Sequence, residues 1–83
     1  MYRIRLNDGT EYAAIFCSAS GGILTMDIES TEKFSAITNK FCENAQSVTY
    51  IYDGTEERYL GYTRPIMVAT NAPGQYTIML GKE

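Results

Sequence analysis

The chain has 83 residues, of which 45% are hydrophobic, and a formal net charge of −3. A chain this short forms one domain around one core and buries only about 60–65% of its unfolded surface. We therefore expect a single domain over residues 1–83, with a stability on the order of a few kcal/mol that a partner subunit would increase. The acidic balance disfavours a nucleic-acid partner. No apolar run approaches the roughly 20 residues of a membrane span, so we expect no membrane insertion.

The residue types needed for common metal and nucleophile chemistry are scarce. The chain contains no His and two Cys, Cys17 and Cys42. Two thiols cannot complete a thiolate metal site, and a Cys nucleophile would have no His to activate it. Because Met1–Thr10 has no signal-peptide pattern, we interpret both cysteines as reduced, buried thiols of a cytoplasmic protein. We expect no enzymatic activity, no cofactor and no metal.

Alternation of apolar and polar residues predicts three strands at the start of the chain. Tyr2–Leu6 is the first, and a turn at Asn7–Thr10 leads into the second, Glu11–Ser18. Both faces of the second strand are largely apolar, so we expect it to be central and covered on both sides. A loop of small residues, Ser18–Gly22, then leads to a third strand, Ile23–Ile28.

After the third strand, the spacing of the apolar residues changes from every second residue to about every 3.6 residues. Phe34, Ile37 and Phe41 follow an i, i+3, i+7 spacing that predicts a helix over about 31–42. A helix of about three turns is marginal by itself, so all three side chains are expected to pack on the sheet. This is the single helix that the sequence predicts.

A tyrosine-rich segment, Ser47–Thr63, dominates the second half of the chain. Two runs of Tyr and β-branched residues flank Asp53-Gly54, which is a strong signal for a β-hairpin. The second arm is expected to pass through Gly61, which indicates a bulge or a close approach by another element. Pro65 lacks a backbone N–H, which indicates the edge of a sheet or a sharp bend.

The last part of the chain predicts a closing hairpin with strands Ile66–Thr70 and Gln75–Leu80. The predicted order of elements is therefore β-β-β-α-β-β-β-β. We expect an α+β, mostly β domain with about six or seven short antiparallel strands. These would form a curved sheet or a small, partly open barrel, with the one helix covering it.

Four of the seven tyrosines, Tyr50, Tyr52, Tyr59 and Tyr62, lie in the central hairpin. Tyrosine offers a large apolar area with a polar tip and is enriched at protein interfaces. One reading is that they fill the core and only their hydroxyls reach the surface. A second is an aromatic protein interface, and a third is a stacking platform for bases or sugars, which the acidic surface opposes. We predict that these four residues carry an interaction.

The overall plan resembles small proteins encoded among the structural and assembly genes of tailed phages and prophages of Gram-positive bacteria. The resemblance is carried by Ile4–Tyr12, by Tyr50–Thr55 with Tyr59–Thr63, and by the closing hydrophobic hairpin. It implies a non-catalytic protein that assembles with copies of itself or with other virion proteins. Its expected location is the cytoplasm of the bacterial host or the assembled virion.

Two functional hypotheses follow. The first is a non-enzymatic protein–protein interaction component, a phage or prophage virion or assembly protein that acts by self- or hetero-association. The alternative is a monomeric small-barrel module that binds a host protein, a saccharide or a single-stranded nucleic acid. Under the first, replacing Tyr59 and Tyr62 together by Ser is expected to weaken self-association while the monomer stays folded.

Overall fold

The computed structural model describes residues 2–44 and 47–83. Within these ranges the chain forms seven strands and one helix. In chain order they are β1 (Arg3–Arg5), β2 (Glu11–Ser20), β3 (Ile23–Glu29), α1 (Phe34–Asn44), β4 (Ser47–Tyr52), β5 (Thr55–Leu60), β6 (Tyr62–Ala72) and β7 (Gln75–Lys82). This confirms the predicted mostly β fold with one helix.

All seven strands belong to one antiparallel sheet with the order β5-β4-β1-β2-β3-β7-β6. β5 and β6 are therefore the two edge strands, although only Gly61 separates them in the chain. In a flat sheet the edges of seven strands would lie about 29 Å apart, so this sheet must curl until its edges approach each other at Gly61. Gly61 has a φ of +87°, a conformation that suits glycine. The result is the partly open barrel that the sequence predicts.

The side chain of Lys82 lies 3.8 Å from the position of a Cβ on Gly61, which agrees with the predicted close approach by another element. The alternative, that Gly61 is a bulge inside one strand, is wrong. Gly61 instead ends one edge strand and begins the other. A local pattern of alternation cannot distinguish these cases, because β5 pairs with β4 and β6 pairs with β7. Pro65 lies in β6, where the register with β7 shifts between Pro65 and Met67. This confirms the predicted edge position of that proline.

The hydrophobic core fills the concave side of the sheet, and α1 covers one end of it. Ile37 and Phe41 of the helix are completely buried, and the Phe41 ring stacks on the ring of Tyr12 with centroids 5.8 Å apart. Phe34 is 45% exposed and lies 6.4 Å from the ring of Tyr76 at the rim of the core. The predicted three-residue stripe is therefore reduced to two buried residues.

The helix begins at Phe34, three residues later than predicted. The Ser30 hydroxyl accepts a hydrogen bond from the backbone N–H of Glu32 at 3.0 Å, which forms a local turn. Two hydroxyls of the sheet then hold Glu32. Tyr12 donates to its carboxylate at 2.7 Å and Tyr76 to its backbone carbonyl at 2.6 Å. These contacts attach the segment to the sheet before the first helical residue.

A β-bulge in β2 corrects another expectation. The register with β3 shifts between Ala14 and Phe16, and Cys17 lies directly opposite the buried Met26. The extra residue reverses the alternation, so that Cys17 faces the core. Ile15 and Phe16 are 50% and 47% exposed. The prediction that this strand is covered on both sides is therefore wrong.

Candidate interaction surface at the β4–β5 end of the sheet

The four predicted tyrosines come together on the concave side of the sheet, and Tyr2 joins them. We call these five residues the tyrosine cluster. The rings of Tyr50 and Tyr52 lie 4.9 Å apart, and the ring of Tyr2 is 6.3 Å from that of Tyr50. Tyr59 and Tyr62 meet edge to face at 6.0 Å. Sequence reasoning missed Tyr2, although the period-two pattern of the first strand puts it on the same face as Ile4.

The cluster is neither fully buried nor freely exposed. Tyr50, Tyr59 and Tyr62 are half-buried and pack against the core. Tyr52 is also half-buried but does not pack against the described core residues. Some of these tyrosines therefore fill the core, and others are available to an interface. Tyr52 and Tyr2 offer more of their rings to a partner, and the other three support the strands beneath.

Glu57 lies between the two groups of rings in the tyrosine cluster, which are Tyr2 with Tyr50 and Tyr52, and Tyr59 with Tyr62. It lies opposite Tyr50 on β5, and its carboxylate accepts a hydrogen bond from the Tyr52 hydroxyl at 3.3 Å. This hydrogen bond is the main cause that raises the pKa of Tyr52. Burial, followed by a hydrogen bond to Glu57, raises the pKa of Tyr59. Both hydroxyls therefore stay protonated at neutral pH, and the Tyr52 hydroxyl donates to a carboxylate on the concave side.

Cys17 also lies on the concave side, packed against the core. Burial is the main cause that raises its pKa to about 12, and the charge of Glu57 acts in the same direction. The thiolate is the reactive form of cysteine, so this thiol is inert at neutral pH. Cys42 is also a free thiol but is exposed on the helix. The expectation that both thiols are buried is therefore wrong for Cys42.

The opposite, convex side of β1, β4 and β5 carries interleaved charges. Glu11 forms ion pairs with Arg3 at 3.1 Å and with Arg5 at 3.2 Å, and Arg5 reaches Glu56 at 3.2 Å. Ile51 lies opposite both Arg3 and Glu56 and is buried despite facing this side. The aliphatic stems of such side chains can cover apolar surface in this way. The alternating signs give no uniformly positive surface for a polyanion.

A depression of about 250 Å³ adjoins these charges. Arg5, Thr49, Glu56 and Arg58 contribute to its lining. Arg5 already pairs with two carboxylates, one of them Glu56 of the same lining, so among the described residues Arg58 is the lining cation that is left without an ion pair.

The two edges of the sheet differ in how readily another strand can pair with them. β5 pairs with β4 at six consecutive positions without a register shift, and five of its six residues are exposed, Leu60 by 61%. β6 has register shifts at three places and contains Pro65. Bulges and proline on an edge strand hinder the addition of another strand. β5 is therefore the edge that can accept one, and it is an arm of the tyrosine-rich hairpin for which the sequence predicts an interaction.

Within residues 2–44 and 47–83, no group of three or more His, Cys, Asp or Glu side chains is placed to hold a metal ion. The helix in this part of the chain is not long and apolar enough to cross a membrane.

The fold and this surface define a small α+β protein, a partly open antiparallel barrel with a helix over one end and one regular, exposed edge. A scan against protein-family models found no match, and neither the curated proteins nor the solved structures that were searched gave a significant match.

Proposed function

We propose that this protein is a non-enzymatic component that binds other protein chains through the β4–β5 end of its sheet. The observation that supports this most directly is the regular, exposed edge of β5 beside the half-buried tyrosine cluster. Backbone groups on such an edge can hydrogen-bond to an added strand, and adjacent tyrosines supply apolar contact area with little loss of entropy. The two features together suit protein association.

The proposal extends to the setting in which the protein acts. We assign it to the virion or assembly proteins of a tailed phage or prophage of Gram-positive bacteria, in the host cytoplasm or in the particle. The resemblance in sequence plan supports this, together with the small size and an edge suited to assembly. The gene neighbourhood tests the assignment. Genes for head, tail or assembly proteins on both sides are expected, and an unrelated metabolic operon would contradict it.

The alternative of a monomeric module for a host protein, saccharide or single-stranded nucleic acid has less support. Glu57 places a carboxylate among the tyrosines, and the chain has a net charge of −3. Both oppose the approach of a polyanion to the aromatic rings.

Sedimentation velocity tests the association directly. The chain is run alone across an about hundredfold concentration range, and also mixed with the purified products of its neighbouring genes. We expect a complex in at least one of these series. A monomer that binds none of the neighbours would refute the proposed function.

Tyr52→Ala is the informative variant, because Tyr52 lies outside the tyrosines that pack on the core. We expect it to weaken the complex while the circular-dichroism spectrum is retained. Phe34→Ala is the matched control, since it removes another half-exposed aromatic ring, this one on α1. If both variants weaken the complex equally, the tyrosine cluster is not the binding surface.

A further inference from the structure

We infer that β5 pairs with β5 of a second copy of this chain, in the antiparallel register that places Glu56 of each copy opposite Arg58 of the other. This inference rests on the proposed function, since it names the partner and the register. The convex face of β5 carries Glu56 and Arg58, opposite Ile51 and Thr49 of β4. The concave face carries Glu57.

Symmetry restricts how two such strands can pair. Two identical antiparallel strands in one continuous sheet are related by a two-fold axis normal to the sheet, so one residue lies opposite its own copy. Residues directly opposite each other share a face of the sheet. With Glu57 on the axis, Glu56 lies opposite Arg58 of the second copy, twice, and Thr55 lies opposite Tyr59. Two cross-strand pairs of opposite charge then form on the convex face. Each Glu56 there lies between Arg58 of the second copy and Arg5 of its own chain, which it already contacts at 3.2 Å.

The neighbouring registers are less favourable. With Arg58 on the axis, two guanidinium groups face each other, and Glu56 lies opposite Leu60. With Glu56 on the axis, two carboxylates face each other, and Arg58 lies opposite Gly54 in the turn. Like charges directly opposite each other destabilise a strand pair. Charge complementarity therefore selects the register centred on Glu57.

The Glu57-centred register also gives the exposed Leu60 a place to pack. In this register Leu60 lies opposite Gly54 of the second copy, in the β4–β5 turn. No atom lies within 4 Å of the position that a Cβ on Gly54 would take, so this space is open. Leu60 is 61% exposed in the single chain, and covering it adds apolar burial to the two ion pairs.

One contact in this register is unfavourable, because Glu57 lies opposite its own copy. Its carboxylate is hydrogen-bonded to Tyr52 within its own chain, on the concave side. That contact directs the charge toward β4 and away from the axis. The remaining repulsion limits the affinity, so Glu57→Gln is expected to tighten the dimer.

Charge reversal provides the test. Glu56→Arg and Arg58→Glu each replace two attractive cross-strand pairs by two repulsive ones, and each is expected to weaken dimerisation about tenfold or more. An equimolar mixture of the two variants restores opposite charges at both positions, so it should associate nearly as tightly as the unmodified chain. Sedimentation velocity measures the association, and circular dichroism checks that each variant is folded.

A matched control separates these pairs from effects of net charge. Glu29→Arg changes the charge by the same amount as Glu56→Arg, but on β3, an interior strand that is far from β5 in the sheet. In a mixture of Glu29→Arg with Arg58→Glu, the latter meets an unreversed Glu56, so fluorescently labelled Arg58→Glu should associate with Glu29→Arg less tightly than it does with Glu56→Arg. Equally tight association with both partners would overturn the inference, because net charge would then explain the rescue.

The outcomes separate this inference from the proposed function. A chain that stays monomeric alone, yet binds a neighbouring gene product, overturns the inference and leaves the proposed function standing. The same holds for an oligomer that ignores the charge reversals but is weakened by Tyr52→Ala. If the chain associates with neither itself nor a neighbour, both are refuted. Weakening by each single variant with rescue in their mixture supports the inference.

Discussion

Tyr59 distinguishes a tyrosine that supports the fold from one that serves only an interface. Its ring packs against the core and meets Tyr62 edge to face at 6.0 Å, and burial is the main cause that raises the pKa of its hydroxyl. The sequence alone led us to expect that replacing Tyr59 and Tyr62 together by Ser would leave the monomer folded. Because of this packing, we no longer expect that result. We now expect Tyr59→Ser to lower the free energy of unfolding.

The magnitude follows from burial and ring contact. Truncating a fully buried aromatic side chain costs about 3–5 kcal/mol, so a half-buried ring accounts for roughly 2 kcal/mol. Losing the aromatic pair adds about 0.5–1.5 kcal/mol. The expected loss is about 2.5–3.5 kcal/mol for Tyr59→Ser. Tyr59→Phe keeps the ring and loses only the hydroxyl, which should cost less than about 1 kcal/mol.

Urea denaturation monitored by circular dichroism measures both variants against the unmodified chain. Because a domain this small has on the order of a few kcal/mol of stability, Tyr59→Ser should be partly unfolded before any denaturant is added. A Tyr59→Ser variant within about 0.5 kcal/mol of the unmodified chain would refute the assignment of Tyr59 to the core, since changes of that size are typical of surface positions.

The two thiols and one carboxylate give further predictions. At neutral pH a maleimide should label Cys42 much faster than Cys17, because Cys42 is exposed and burial raises the pKa of Cys17 to about 12; equal rates in Cys42→Ser and Cys17→Ser variants would contradict this placement. The backbone N–H of Thr10, followed by the Thr10 hydroxyl and Lys40, lowers the pKa of Asp8 to about 2. The charged Asp8 therefore stabilises the fold above the ordinary pKa of Asp, near 3.8, and this contribution is lost as the pH falls toward 2. Asp8→Asn should make stability less dependent on pH in this window, and an NMR titration of Asp8 with an ordinary midpoint would disprove the assignment.

Much of the local structure was predictable because it depends on neighbouring residues. The Asp53-Gly54 turn has φ angles of 48° and 77°, which match the hairpin turn that this residue pair favours. The spacing of Ile37 and Phe41 correctly indicated the buried face of α1. The grouping of tyrosines in one hairpin was also visible in the sequence, although not the addition of Tyr2.

Tertiary structure alone decided which strands lie at the edges and which faces are covered. Gly61 joins opposite edges of the sheet because β5 and β6 pair with different partners, and strand pairing depends on contacts far apart in the chain. The bulge after Ala14 exposes Phe16, whereas ion pairs among distant side chains cover Ile51. The composition and periodicity of the sequence determined that a curved, mostly β domain forms. Long-range register determined that β5 is its free edge, because register is set by the packing of all strands around one core.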